Sequence, residues 1–159
     1  MNFKKTNAIR ELDLAHINYE LFSYPVDEND LSAINVAIKT GIDIVHIYKT
    51  LALLNEKKEL IIACISGSDE IDLKKLAKIS NSKKVELLPL NDLTKFTGYI
   101  RGGCSPIGIK KKHQTFIDMN VLNRNYILIS AGIRGLQIKI NPTDLIKYLN
   151  MNIEDIIVQ

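Results

Sequence analysis

The chain has 159 residues, 46% of them hydrophobic and 25% charged, the balance of a globular protein rather than of a disordered one. That length predicts a single domain, residues 1–159, large enough to bury a core without metal or disulfide support. A formal net charge of +3 permits a nucleic-acid partner without pointing to one, because dedicated binders carry a denser basic stripe.

Met1–Thr6 leads into mixed polar and apolar sequence with no signal-peptide core. No apolar run along the chain approaches the ~20 residues that cross a bilayer, so no membrane partner is expected. Thr6 reads as the N-cap of a helix over Asn7–Ala15 that buries Ile9, Leu12 and Leu14. Tyr19–Tyr24 alternates as a strand and stops at Pro25. A second helix, Ser32–Thr40, is expected to bury Ile34, Ala37 and Ile38 and to end at Gly41. His46–Leu54 and Leu60–Ile65 read as two strands joined by the charged turn Asn55–Lys58. Asp72–Ile79 reads as a helix with Leu73, Leu76 and Ile79 on one face, and Val85–Leu88 as a short strand. Asn91 is expected to cap a short helix ending before Gly98. Thr115–Met119, Tyr126–Ser130 and Leu136–Ile140 read as strands, Thr143–Leu149 as a helix after Pro142, and Ile156–Val158 as a last strand. Strand pairs too close for helical crossovers, interspersed with helices, predict a mixed α/β fold rather than a regular doubly wound sheet.

The stretch Gly98–Gly108 holds four of the chain's eight glycines within eleven residues. Backbone N–H groups freed in such a loop can point at an oxyanion, a phosphate or a carboxylate. A tight connection between sheet elements accounts for the same residues equally well. Ser130–Gly135 is a second glycine turn: a hairpin, or a hairpin whose Ser130 and Gly132 line a pocket with the first loop. Lys49 interrupts the apolar run Ile47–Leu54; it is either an edge lysine or a half-buried one that binds a carboxylate or phosphate. Cys104 and Ser105 have no local histidine or acidic partner to activate a nucleophile, so structural or substrate-contact roles suit both better. Lys110, Lys111 and Lys112 form a solvated turn or a phosphate contact, and Arg101 can serve either way. Cys64 and Cys104 stand apart, and His16, His46 and His113 are scattered, so neither a metal nor a cofactor is expected. Two lone cysteines fit a reduced, cytoplasmic setting. Neither GxGxxG nor GxxxxGK[ST] occurs, which removes the common nucleotide fingerprints.

Taken together, these segments resemble the YbaK/EbsC family of aminoacyl-tRNA editing domains, the stand-alone Cys-tRNA(Pro) deacylases. The resemblance runs through Gly41-Ile42-Asp43, Tyr48-Lys49-Thr50-Leu51, Asp72–Lys75, Thr97-Gly98-Tyr99, Gly102–Gly108, Ser130–Leu136 and Pro142–Leu145, in order along the chain. It implies a mixed, partly barrel-like sheet surrounded by helices, similar to the editing insertion of prolyl-tRNA synthetases. It implies in-trans hydrolysis of the ester joining a wrong amino acid to the tRNA 3′ end, often alongside prolyl-tRNA synthetase. A second sieve is needed because cysteine and proline are too alike in size for one pocket to separate. By position, the resemblance implies that Lys49 orients the terminal adenosine and its phosphate, that Gly102 lines the reacting carbonyl, and that Tyr24 lies near substrate. Gly103, Cys104, Ser105, Ser130 and Gly132 would contact the aminoacyl end, and Arg101 with the three lysines the tRNA. A family phenylalanine near the start of the second helix is replaced here by Ser32, beside Leu31, and Gln137 occupies a variable position. The family chemistry is attack by the substrate's own thiol. The open alternatives are removal of alanine, serine or threonine by an activated water, and tRNA binding without catalysis.

Overall fold

The computed structural model describes residues 5–159. Residues 1–4, read above as part of a start without a signal-peptide core, lie outside it. Among the described residues the helices are α1 (Asn7–Leu14), α2 (Ala33–Thr40), α3 (Leu73–Ile79), α4 (Leu93–Thr97) and α5 (Pro142–Leu149). The strands are β1 (Tyr19–Ser23), β2 (Tyr48–Asn55), β3 (Leu60–Ser66), β4 (Val85–Leu87), β5 (His113–Asp118), β6 (Ile127–Ser130), β7 (Leu136–Ile140) and β8 (Asn152–Glu154).

β2 and β3 form an antiparallel hairpin whose partner Leu60–Ser66 is buried at every position. Burial on both faces explains its unbroken apolar run. One face of the hairpin meets Ile9, Leu12, Ile129, Ile138 and Leu145; the other packs Leu53, Ile61 and Ile65 under Leu76 of α3. β3 pairs in parallel with β5, and β5 in parallel with β8, completing a mixed sheet in the order β4-β2-β3-β5-β8. β1, β7 and β6 form a second, antiparallel sheet. A bridge between Ile47 and Leu128 joins the two sheets where β2 begins. This seam, covered by α2, is where the candidate site lies.

Three expectations change. Leu14 is 81% exposed: two residues beyond Leu12, it lies about 200° around the helix from the buried stripe. In α2, Asn35 and Val36 are buried, while Ile34 and Ile38 are 58% and 73% exposed. The helix turns its smaller face inward because Ala33 sits tight against Gly67, where an added Cβ would lie 2.5 Å from its own. Asn35, buried beside it, donates its Nδ2 to the Asp30 carbonyl ahead of the helix at 3.0 Å. The last strand falls at Asn152–Glu154 rather than Ile156–Val158, although the tail does dock: Ile156 is fully buried and Ile157 bridges to Ile71. Smaller shifts occur at element ends. Ser32 caps α2 from outside, Asn91 lies in a short 3-10 turn instead of capping α4, and β2 starts after a 3-10 turn over Ile44–His46.

Candidate active site

Lys49 stands second in β2, opposite Ile65 of β3. Its ammonium donates to the Asp69 carbonyl at 2.8 Å. Burial pulls the Lys49 pKa below its ordinary value, with the charges of Asp69 and Glu70 opposing the fall. The Asp69 carboxylate accepts from Asn120 Nδ2 at 2.8 Å, and Asn120 Oδ1 accepts the Tyr48 hydroxyl at 2.6 Å. Asp118, only 1% exposed, takes the Asn120 N–H and the tail's Ile156 N–H, both at 3.0 Å. Val158 N–H donates to the Glu70 carbonyl at 2.9 Å. Lys49 is thus held by a hydrogen-bonded chain that starts in the docked tail. Sequence reasoning missed Asp69, Asn120 and Asp118, because the partners lie tens of residues apart with no shared motif.

The two glycine turns pack against each other. Gly103 comes so close to the Ile133–Arg134 backbone that a Cβ there would lie 3.3 Å from it, and Arg134 Nε donates to the Arg101 carbonyl at 2.8 Å. Gly102 adopts φ +83°, a left-handed conformation that other residues rarely take. The Gly103 N–H is already bonded to the Ile100 carbonyl at 2.9 Å, whereas the Gly102 N–H has no partner among the described residues.

Between these turns, β2 and α2 lies a cavity of about 150 Å³. Its polar wall includes Lys49, Thr50, Gly102, Cys104, Ser130 and Gln137; Leu31, Ala33, Val36, Ile47 and Tyr48 complete the lining. Four residues singled out from sequence, Lys49, Gly102, Cys104 and Ser130, therefore meet on one surface although 81 positions separate the first from the last. The apolar wall that Ser32 vacates is provided by Leu31, while the Ser32 hydroxyl accepts the Asn35 N–H and donates to Asp30.

Other expected residues sit outside the lining. Ser105 is fully buried, its hydroxyl accepting the Ile107 N–H at 3.2 Å. Gly103 is buried behind the wall, and Gly132 faces the Tyr99 ring. Tyr24 packs on the cluster of Val36, Ile47 and Leu128, behind the wall rather than in it. Lys110 and Lys111 line a separate groove with Phe96 and Tyr99, and the Lys111 ammonium lies 4.7 Å from the Phe96 ring centre. Arg101 and Lys112 are exposed. A larger groove of about 500 Å³ runs past Lys84, Glu86 and Asp92, but it contains none of the expected residues.

Chemically, the cavity offers the Lys49 cation and, at Gly102, a backbone N–H without a partner among the described residues, and it holds no activated nucleophile. Burial pushes the Cys104 thiol up to about 11, against a smaller lowering by the Thr97 hydroxyl, so the thiol stays protonated near neutrality.

Residues 28–148 match the model of the aminoacyl-tRNA editing domain family. The chain belongs to this editing family. The editing domain is 44% identical over 147 residues to EbsC of Enterococcus faecalis, a protein whose name proposes a Cys-tRNA(Pro)/Cys-tRNA(Cys) deacylase. The match covers 92% of this chain and 90% of that one, and places the editing domain in the YbaK/EbsC group. The same fold occurs in the crystal structure of a hypothetical protein, with a TM-score of 0.86 at 17% identity over 94% of this chain and 97% of that one. It also occurs in a solved protein described as a proposed trans-editing enzyme for prolyl tRNA synthetase, with a TM-score of 0.82 at 18% identity over 96% and 93%. The mixed fold expected from sequence agrees with these neighbours.

Proposed function

We propose that this editing domain is an aminoacyl-tRNA deacylase acting in trans in the cytoplasm, with Cys-tRNA(Pro) as its substrate and 1–159 as one catalytic unit. The observation that carries the reading is the small cavity lined by Lys49 and by Gly102, whose N–H has no partner among the described residues, with no activated protein nucleophile in its wall. Such a site suits a substrate that brings its own. The cysteinyl sulfur attacks the ester carbonyl carbon, the bond from that carbon to the ribose oxygen breaks, and the thiol proton passes to the departing oxygen. The products are a cyclic aminothiolactone and tRNA with its terminal hydroxyl restored.

The protein's part is orientation, worth up to ~7–11 kcal/mol in favourable intramolecular reactions. The Lys49 ammonium holds the terminal adenosine and phosphate, and the Gly102 N–H receives the oxyanion. Ser130 and Cys104 shape the aminoacyl end. The groove of Lys110, Lys111 and Phe96 lies outside the cavity and suits the single-stranded acceptor end, with prolyl-tRNA synthetase as the partner that supplies it.

The reading is tested by offering the purified protein tRNA charged with cysteine, alanine, serine or threonine. Selective cleavage of Cys-tRNA(Pro) with thiolactone release is expected. Cleavage of the thiol-free esters at equal rate would assign the chemistry to an activated water, and binding without cleavage would remove the enzyme reading.

A further inference from the structure

Gln137 belongs to β7, whose alternate residues Leu136, Ile138 and Ile140 enter the main core. Its neighbours across the sheet are Phe22 and Ser130, and it lines the cavity beside Lys49 and Gly102. Gln137 is 5% exposed, yet its side-chain oxygen Oε1 has no hydrogen-bond partner. Among the described residues no other fully buried side-chain nitrogen or oxygen is left so. A buried acceptor without a donor destabilises the fold, and native proteins keep very few. This one belongs to a residue that lines the site where a ligand is expected.

We propose that Gln137 is a specificity-determining residue whose Oε1 accepts a hydrogen bond from the α-ammonium of the bound aminoacyl group. The assignment rests on the deacylase reading and follows from counting donors. The ester oxygens only accept, a thiol donates weakly, and the ammonium carries three strong donors. The ribose hydroxyl also donates, but the ribose is tied to the rest of the tRNA and must stay toward the half-buried rim formed by Lys49 and Leu31. Gln137 and Ser130, 5% and 8% exposed, lie deeper. The Ser130 hydroxyl already accepts the Gly132 N–H at 3.1 Å, whereas Gln137 Oε1 has no donor at all and gains most from one. The site thereby admits α-amino acids and rejects acyl groups without the amine.

The test compares Cys-tRNA(Pro) with tRNA(Pro) carrying a 3-mercaptopropanoyl ester, which keeps the thiol and lacks only the amine. Taken relative to the uncatalysed rates of the two esters, which the electron-withdrawing α-ammonium already separates, wild type is expected to prefer the cysteinyl ester by roughly 10- to 100-fold in single turnover, the range of one hydrogen bond to a charged group. Gln137→Leu should slow the cysteinyl ester and leave the deaminated one unchanged, erasing the preference, while melting at or above the wild-type temperature. Gln137→Glu should retain the preference. In parallel, amide-linked cysteinyl and 3-mercaptopropanoyl 3′-amino-adenosine report binding without chemistry, and the same preference and its loss are expected. A preference surviving in Gln137→Leu, or an equal slowing of both esters, would overturn the assignment. If wild type cleaves neither ester, the deacylase reading fails, and the two adenosine amides still decide whether Gln137 reads an amine.

Discussion

Replacing Gly102 by alanine separates backbone geometry from chemistry. The residue holds φ +83°, so a side chain there costs about 1–2 kcal/mol of left-handed strain. The added methyl would also lie 3.2–3.3 Å from three atoms of the Leu31 side chain, closer than ordinary contact. Leu31 is a flexible tip and can yield, but it yields within a cavity of only about 150 Å³ whose wall it forms. Stability should therefore fall modestly, by roughly 2–8 °C in melting temperature for a protein of this size. Activity should fall further. If the Gly102 N–H meets the oxyanion, displacing it costs ~10²–10³ in rate, as for other single oxyanion donors. Thermal melting and single-turnover cleavage of Cys-tRNA(Pro) measure the two effects on one preparation. A Gly102→Ala protein that melts lower but cleaves at the parental rate would remove the Gly102 N–H from the chemistry and leave the loop a structural turn.

Lys49→Ala should abolish deacylation with the fold intact by circular dichroism, since a hydrogen bond to a charged group is worth ~1.5–3 kcal/mol; normal turnover would remove Lys49 from the site. Burial holds the Lys49 pKa below the ordinary lysine value, so its positive charge is lost as pH rises through that lowered value, before an exposed lysine would lose its own. Affinity for uncharged tRNA should accordingly fall at a lower pH than an exposed lysine would give, and Lys49→Arg should carry that limb to higher pH. Cys104→Ala should retain substantial activity, because a thiol raised to about 11 is not a ready nucleophile; a trapped thioester at Cys104 would reverse this. Neutralising Lys110 and Lys111 together should weaken tRNA binding and reduce its salt slope by roughly 0.7 per phosphate contact, with saturated turnover unchanged.

Much of this site was legible in the sequence because its parts are local motifs. Lys49 within an apolar strand and the two glycine turns stand out from their surroundings whatever their partners. What could not be read was which atoms the fold brings together. The Gly103 N–H looks as available as that of Gly102 until the turn to Ile100 is seen. Apart from the local bond between Asp118 and Asn120, the support for Lys49 depends on contacts across 20 to 72 positions, and neither residue type nor spacing marks it. The α2 error has the same origin. Over eight residues, two apolar stripes compete, and the close seat of Ala33 on Gly67 decides between them. Leu31 replaces the missing aromatic wall for a reason visible only in space, since it packs against Gly102 from 71 positions away.

If the cavity positions a substrate that supplies its own nucleophile, removing that nucleophile from the substrate must stop the reaction. Single-turnover cleavage of Cys-tRNA(Pro) can be compared with that of the same tRNA charged with S-methylcysteine, with trapping of the released acyl product. A thiolactone is expected from the first substrate, and a rate near the uncatalysed background for the second. Equal cleavage of both, with free amino acid as the first product, would contradict that expectation.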